Sequence, residues 1–136
     1  MAVDIEHIWA GLYARLTAAS DFYTAFSTRV YLGQAPGHPV TYPYAVVTTV
    51  SDIPLRSFPK NGYEILYQIS MWATLDGGAQ AASGNGDKLR AQVDRTTWSA
   101  TGQAQMAAVV VAERGPDRDG ESWRYDIDIR VMGYES

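Results

Sequence analysis

The fold is decided by the stretch SWRYDIDIRVMGYES, which runs from Ser122 to Ser136. Apolar residues occupy every second position from Trp123 to Val131, and charged residues fill the positions between them: Arg124, Asp126, Asp128 and Arg130. Because successive side chains of a strand point to opposite faces, this segment is predicted to be a strand with one apolar and one charged face. The apolar face is expected to belong to the core, and the charged face to meet water, a substrate or another protein chain.

Length and composition narrow the class of protein. The sequence has 136 residues, a formal net charge of −4 and no cysteine. This length suits one domain, here residues 1–136, that can bury its own core. The absence of cysteine excludes thiolate catalysis and zinc–cysteine sites. No apolar run approaches the ~20 residues that cross a bilayer, and the acidic N-terminus does not fit a secretory signal, so we expect a soluble protein that works inside a cell.

The acidic excess lies in the second half of the chain. Residues 1–60 carry four acids and four bases, whereas residues 61–136 carry eleven acids and seven bases. Neither half has a cluster of lysine and arginine, on which nucleic-acid binders depend to neutralise phosphates. The sequence is therefore a poor candidate for a protein that grips DNA.

Hydrophobic periodicity predicts an α+β fold. Helical spacing of apolar residues indicates a first helix from about Ile5 to Ala18 and a short helical piece in "DFYTAFS" from Asp21. A further helix is predicted from Gly78 to Asp94, with small residues that let it lie close to a sheet. β-branched and alternating segments predict one brief and four longer strands: Arg29–Leu32, Tyr44–Ile53, Tyr63–Thr74, Gln105–Glu113 and Ser122–Ser136. The predicted fold is an antiparallel sheet of about four to five strands with two helices packed on one face.

Two polar segments between strands are predicted to be long loops. They are "PLRSFPKNG" at Pro54–Gly62 and "RGPDRDGE" at Arg114–Glu121, and both are longer than a tight hairpin needs. Long loops on a rigid sheet either carry binding function or are mobile surface. In the first loop an aromatic residue stands between two bases, which is a plausible docking site: Arg56, Phe58 and Lys60.

No pattern in the chain predicts a catalytic, cofactor or metal site. The two histidines, His7 and His38, have no carboxylate at a metal-ligand spacing and are expected to be solvated or structural. "GNGDK" at Gly84–Lys88 lacks the spacing of a phosphate loop and is interpreted as part of a helix. Asp126 and Asp128 share a strand face and could serve acid–base chemistry or bind a divalent ion, but flanking arginines favour ion pairs across strands.

The chain is rich in aromatic residues, with four tryptophans and nine tyrosines. Most are expected in the core or on sheet faces, although aromatic side chains are also enriched at protein interfaces. Trp72 projects opposite Ile69 and Met71 in the predicted strand and is therefore a candidate interface residue.

Taken in order, these segments resemble the tail-completion, or tail-terminator, proteins of long-tailed bacteriophages and gene transfer agents. The resemblance rests on an N-terminal helix "IWAGLYARLTA" and on "RVYLGQAPGHPVTYPYAVV", in which an Arg-Val-Tyr segment leads through Ala35-Pro36 to Pro43-Tyr44 and a β-branched strand. The strand "YQISMWAT" before a small-residue helix and the charged hairpin "ERGPDRDGESWRYDIDIRV" also match. The glycine-rich "ASGNGDKL" departs from the more regular helix of the family.

The resemblance implies a structural and not a catalytic role. Such proteins assemble, typically as a hexameric ring, on the last ring of the tail tube. They stop tube growth there and present a surface to the head connector, and DNA passes through the channel. The implied location is the tail or neck of a virion assembled in the bacterial cytoplasm. The charged strand face is then expected to meet a neighbouring subunit or to line the channel, where mild acidity lets DNA slide.

Two other functions compete with this interpretation. A head-side neck or connector-completion protein has the same size and composition. A small α+β ligand-binding or enzyme domain would normally place His, Asp or Tyr inside the concavity of its sheet, whereas the inward residues here are Ile, Val and Met.

Overall fold

The computed structural model describes residues 5–35, 41–56, 61–100 and 103–135. Within these ranges the chain forms three helices: α1 (Ile5–Leu16), α2 (Asp21–Phe26) and α3 (Gly78–Val93). It also forms six strands: β1 (Val30–Leu32), β2 (Tyr44–Arg56), β3 (Asn61–Thr74), β4 (Thr96–Ala100), β5 (Gln103–Asp119) and β6 (Ser122–Glu135). None of the described helices has the length and apolarity that a membrane crossing requires.

The strands form one mixed sheet in the order β1-β2-β3-β6-β5-β4. β1 pairs with β2 in parallel, and every other neighbouring pair is antiparallel. The α+β class is confirmed, but the prediction of about four to five antiparallel strands with two helices is inexact, because the described chain has six strands, one parallel strand pair and three helices. It missed β4, a short strand that follows α3 almost directly and is held under α1 by a 3.1 Å hydrogen bond from Trp98 Nε1 to the Gly11 carbonyl.

In the β2–β3 and β5–β6 hairpins the strands are longer, and the connections between them shorter, than the sequence predicts. The prediction of a polar loop at Arg114–Glu121 is wrong, because β5 continues to Asp119 and only a two-residue turn separates it from β6. The register of β5 shifts between Arg114 and Asp117, and Gly115 in this bulge has φ +111°, a conformation that side chains rarely adopt. The loop predicted at Pro54–Gly62 is also too long, because β2 extends to Arg56 and β3 begins at Asn61.

The core lies between the helices and one face of the sheet. Alternate residues of β6 are fully buried there, as its sequence predicts: Ile127, Ile129 and Val131. The facing residues of β3 are buried as well: Tyr63, Ile65, Tyr67, Ile69 and Met71. All three helices contribute to the same buried cluster: Ile8, Leu12 and Leu16 from α1, Phe22 and Phe26 from α2, and Leu89 and Val93 from α3. The helices therefore cover this face and leave the opposite face of the sheet to other contacts.

Helix α3 lies close to the sheet because its residues there are small. The helix is confirmed over the predicted range, and the glycine-rich "GNGDK" is part of it. A Cβ atom added to Gly86 would lie 2.6 Å from the ring of Tyr125 in β6. At its end, α3 is tied to α1 by two hydrogen bonds, from Arg15 Nε to the Gln92 carbonyl (3.0 Å) and from Gln92 Nε2 to the Arg15 carbonyl (2.6 Å).

Candidate functional site

The charged side of β6 belongs to the face of the sheet that the helices do not cover. We call this the outer face. It consists of the even-numbered residues of β3 and β6 and of the residues opposite them on β2 and β5. Register places Trp72 beside Arg124, Ser70 beside Asp126 and Gln68 beside Asp128. On the far side of β6, Arg114 lies opposite Asp126 and Asp117 opposite Arg124.

Three arginine–carboxylate pairs lie across the outer face. Arg114 binds Asp128 through both guanidinium nitrogens at 3.0 Å. Arg124 Nε lies 2.9 Å from Asp126 Oδ1, and Arg130 Nε lies 2.7 Å from Glu64 Oε1. The Asp126 and Asp128 side chains are only 14% and 17% exposed, whereas their arginine partners are 38% and 48% exposed. In these pairs the carboxylate is therefore mostly covered, and the guanidinium group is the more exposed partner.

These ion pairs distinguish between the two roles that the sequence allows for Asp126 and Asp128, carboxylate chemistry and ion pairing across strands. Each carboxylate is bound by its own arginine, and hydrogen bonding to Asp128 raises the pKa of Arg114. In the described part of the chain, no three His, Cys, Asp or Glu side chains converge as metal ligands. His7 lies on α1, on the core side of the sheet, and His38 lies outside the described residues. The arrangement favours a structural ion-pair surface.

Aromatic rings stack at one end of the outer face. Tyr44 stacks on Trp72 with ring centroids 5.1 Å apart, and Tyr42 packs against Tyr44 at 5.4 Å. The Arg124 guanidinium lies 5.2 Å from the centroid of the Trp72 ring, and Trp72 Nε1 donates a 2.9 Å hydrogen bond to Asp119 Oδ2. Partial burial, together with the neighbouring Tyr42 and Asp119, raises the pKa of the Tyr44 hydroxyl. We call Tyr42, Tyr44, Trp72 and Arg124 the aromatic stack.

The predicted interface residues divide into two groups. The sheet brings together one whole group on the outer face: Trp72, Arg124, Asp126, Asp128 and Arg130. The other group is the predicted docking loop, which lies mostly outside the described residues. Arg56 ends β2 and its side chain is outside the described set, while Phe58 and Lys60 lie outside the described residues altogether.

The sequence did not indicate which residues of other segments would complete the outer face. Glu64, Tyr42 and Tyr44 come from other strands or a connection, and pairing across strands cannot be read from one segment. Arg114 and Asp119 were assigned to a turn because glycine and proline stand between them. The sequence did contain one signal that β5 continues past the bulge, because Asp117 and Asp119 again occupy alternate positions there.

A cleft of ≈ 310 Å³ opens beside the aromatic stack, between α2, α3 and the end of β3. Tyr42 and Pro43 form one wall, and alanines of α2, β3 and α3 supply the apolar lining. Thr74, Asn85 and Lys88 provide its polar groups. Asn85 is 7% exposed, and among the described residues neither its amide nor the Lys88 ammonium has a hydrogen-bond or ion-pair partner.

One family of known proteins matches this sequence, and solved structures share its fold. The family model described as "Tail completion protein gp17" matches residues 10–134. Among solved structures, a chain in the "Virion of native gene transfer agent (GTA) particle" is similar with a TM-score of 0.73 and 14% identity, covering 98% of this chain and 99% of that chain. A second solved structure has a TM-score of 0.66 and 14% identity, covering 97% and 96%. No curated protein matches the sequence. At this identity the structural likeness shows the fold.

Proposed function

Since the chain belongs to the tail completion protein family, whose members are structural proteins of the bacteriophage tail, we propose that it closes the tail tube as an oligomeric ring. The ring ends tube growth and forms the surface that joins the tail to the head. Its partners are further copies of itself, most simply six, the tail-tube protein and the head–tail connector. DNA passes through the ring without sequence-specific binding, and no catalytic step is part of the proposal.

The outer face supports this proposal most directly. A sheet face without a helix over it is available, in a ring, to meet the neighbouring subunit or the channel. The three arginine–carboxylate pairs satisfy one another within the chain, so they leave few free charges for ion pairs with a neighbour. We therefore assign the outer face to the channel, and the aromatic stack to one mouth of it.

The charge balance of the outer face suits the passage of DNA. Its described charged residues are five acids and three arginines: Glu64, Asp117, Asp119, Asp126 and Asp128 against Arg114, Arg124 and Arg130. Strong DNA binding needs unpaired cations that release counterions from the phosphates. The arginines here are already paired with carboxylates, so a passing duplex meets a weakly acidic wall to which it does not adhere.

The connection between β2 and β3 is our candidate for docking. It lies at the end of the sheet remote from the aromatic stack, because β2 and β3 pair from Tyr44–Trp72 at one end to Arg56–Asn61 at the other. Arg56, Phe58 and Lys60 provide two bases around an aromatic anchor, with no acid between them. Such a segment fits an acidic or aromatic surface on the tube or connector.

Deletion of the gene tests the proposed function. Particles made without the protein should have overlong tails or tails unattached to heads in negative-stain electron microscopy, and a plasmid copy should restore both. Finished tails of normal length accompanied by heads that leak DNA would contradict the capping role and indicate a head-side neck protein.

A charge variant tests the channel assignment separately. Asp117 is exposed on the outer face, and Asp117→Lys places an unpaired cation there. Particles should form normally but eject DNA more slowly, by about threefold or more at low salt, because the cation binds phosphates. Asp76→Lys, at an exposed position before α3, is the matched control. Equal ejection rates in both variants would remove the outer face from the channel.

A further inference from the structure

The cleft beside the aromatic stack is lined by hydrogen-bond donors that the fold does not use. Asn85 is 7% exposed, yet its amide has no hydrogen-bond partner among the described residues. Lys88 is exposed, and its ammonium forms no ion pair in the described part of the chain. Thr74 Oγ1 accepts a 3.4 Å hydrogen bond from the Gly77 N–H, so the hydroxyl proton is left to donate. These three side chains therefore have donors to offer to a ligand.

The stability of the fold does not explain an asparagine at position 85. Asparagine is a weaker helix former than alanine, and a buried amide without a hydrogen bond costs free energy. Ala82 and Leu89 of the same helix are buried and apolar, as packing alone requires. A buried polar group that makes no hydrogen bond within the fold is expected where a ligand supplies the bond. We therefore interpret Asn85 as a binding residue.

The lining of the cleft fits a carboxylate carried on an apolar stem. Its polar groups are all able to donate, and among the described residues of the lining Lys88 is the one that carries a charge. The remaining walls are apolar and come from Tyr42, Pro43 and the alanines. A single cation does not suit a nucleic acid, whose binding depends on neutralising several phosphates. The volume of ≈ 310 Å³ is at the lower limit of small-molecule sites and suits a side chain better than a cofactor.

The position of the cleft indicates from which side of the ring the carboxylate comes. The proposed function assigns the aromatic stack to one mouth of the channel, and the cleft shares Tyr42 with that stack. Thr74 of the cleft is the last residue of β3, whereas the connection proposed for docking precedes Asn61, its first residue. The two sites are separated by the length of β3, which is roughly 40 Å. They therefore face partners on opposite sides of the ring.

We propose that the cleft binds an acidic side chain of the virion protein that adjoins this mouth of the ring, with Lys88 and Asn85 holding the carboxylate. The inference rests on the proposed function, which supplies the ring and its two sides. The partner presents a glutamate or aspartate beside apolar atoms, which contact the walls of the cleft. Tyr42 and Pro43 keep water from the ion pair and so strengthen it.

Acetate tests the site in the isolated protein. Titration at constant pH should shift the NMR signals of the Asn85 side-chain amide saturably at millimolar acetate, and chloride should not. Lys88→Glu should abolish the shift. Asn85→Leu should leave the thermal midpoint unchanged or raise it, because the free protein loses no hydrogen bond. Amide signals that do not respond to acetate, or a clear fall of the midpoint in Asn85→Leu, would assign Asn85 a structural role and overturn the site.

Cross-linking tests the partner in the assembled particle. A water-soluble carbodiimide joins an ammonium to a carboxylate in direct contact, and peptide mass spectrometry identifies both residues. Lys88 should be joined to an acid of a different virion protein, and replacing that acid with lysine should rescue Lys88→Glu to within about tenfold of the wild-type titre. Gln80→Leu, at an exposed position of the same helix, is the control for Asn85→Leu and should assemble normally. Lys88 joined only to another copy of this chain, or to no acid, would overturn the proposal.

The phenotypes separate this inference from the proposed function. Lys88→Glu should block joining on one side of the ring, and replacement of Arg56, Phe58 and Lys60 by alanine should block it on the other. One variant should then give overlong tails and the other tails of normal length without heads. The same defect from both would overturn the assignment of the cleft to a separate partner. If the wild-type protein is absent from finished tails, the capping role fails, and the acetate titration still decides whether the cleft binds a carboxylate.

Discussion

Gly86 of α3 lies so close to the ring of Tyr125 that a Cβ atom there would stand 2.6 Å from Tyr125 Cε1. Tyr125 in turn donates a 2.9 Å hydrogen bond to Glu113, whose carboxylate also receives hydrogen bonds from the Arg90 guanidinium. One glycine thus sets the distance at which the helix, β6 and β5 meet.

We expect Gly86→Ala to destabilise the protein by about 1–3 kcal/mol, because the Tyr125 ring must move to accommodate the methyl group. Gly84→Ala is the matched control in the same helix. A Cβ there meets nothing within 4 Å, so alanine should stabilise by about 0.5–1 kcal/mol through its higher helix propensity. Urea denaturation of both variants measures the difference. Equal effects would show that α3 does not need the close approach.

The two faces of β6 should respond differently to substitution. Ile127 is fully buried, and Ile127→Asp places a charge in the core at a cost of several kcal/mol, enough to unfold a domain of ordinary stability. Asp126→Ala removes a carboxylate from the outer face and leaves Arg124 hydrated, so we expect a loss below about 2 kcal/mol.

Circular dichroism melts of Ile127→Asp and Asp126→Ala test this pair. A cooperative transition should persist only in the Asp126 variant. Comparable damage from both substitutions would mean that the outer-face ion pairs support the fold as strongly as the core does.

Stability should fall in acid partly through Glu113. Hydrogen bonds from Arg90, and secondarily from Tyr125, lower the pKa of this carboxyl in the folded protein below its ordinary value of 4.5. The unfolded chain then binds the proton more readily. The contribution of Glu113 to stability is full above about pH 4.5 and is lost as the pH falls through the folded-state pKa.

Glu113→Gln should therefore flatten the dependence of the unfolding free energy on pH as the pH falls below about 4.5. Chemical denaturation at several pH values measures the slope. A slope unchanged from the wild type would show that the Arg90–Glu113 contact does not persist in solution.

The connection between β2 and β3 should be needed for assembly and not for folding. We expect the triple variant Arg56→Ala, Phe58→Ala and Lys60→Ala to keep the wild-type circular dichroism spectrum while its particles show overlong or unattached tails. Normal infectious particles from this variant would show that another segment docks the ring.

The elements that the sequence predicts well are those whose own pattern is sufficient. β6 alternates strictly from Trp123 to Val131, and β3 alternates over most of its length. α3 keeps its helical spacing despite two glycines, because packing against Tyr125 favours a small residue at Gly86. β4 was missed because five residues carry too little periodicity, and its position depends on Trp98 reaching α1. The end of β5 was taken for a loop because Gly115 and Pro116 are turn residues that here form a bulge.

Part of the candidate site could be predicted from the sequence. The charged residues of β6 and Trp72 were identified, since alternation alone assigns them to one face. Their partners were not, because Glu64, Arg114 and Asp119 reach them through strand pairing between segments distant in the chain. No pattern in the sequence predicts the cleft, because it forms where two helices and the end of a strand meet.

The place of β6 in the sheet has a consequence for biosynthesis. Among the described elements β6 is the last to be made, yet it lies in the middle of the sheet, between β3 and β5. Until it emerges from the ribosome, the earlier strands form two separate groups, β1-β2-β3 and β4-β5, each with an incomplete edge. All three ion pairs of the outer face, and the turn that precedes β6, are completed only with this final strand. A nascent chain therefore cannot offer a finished subunit to a growing tail until β6 has been translated.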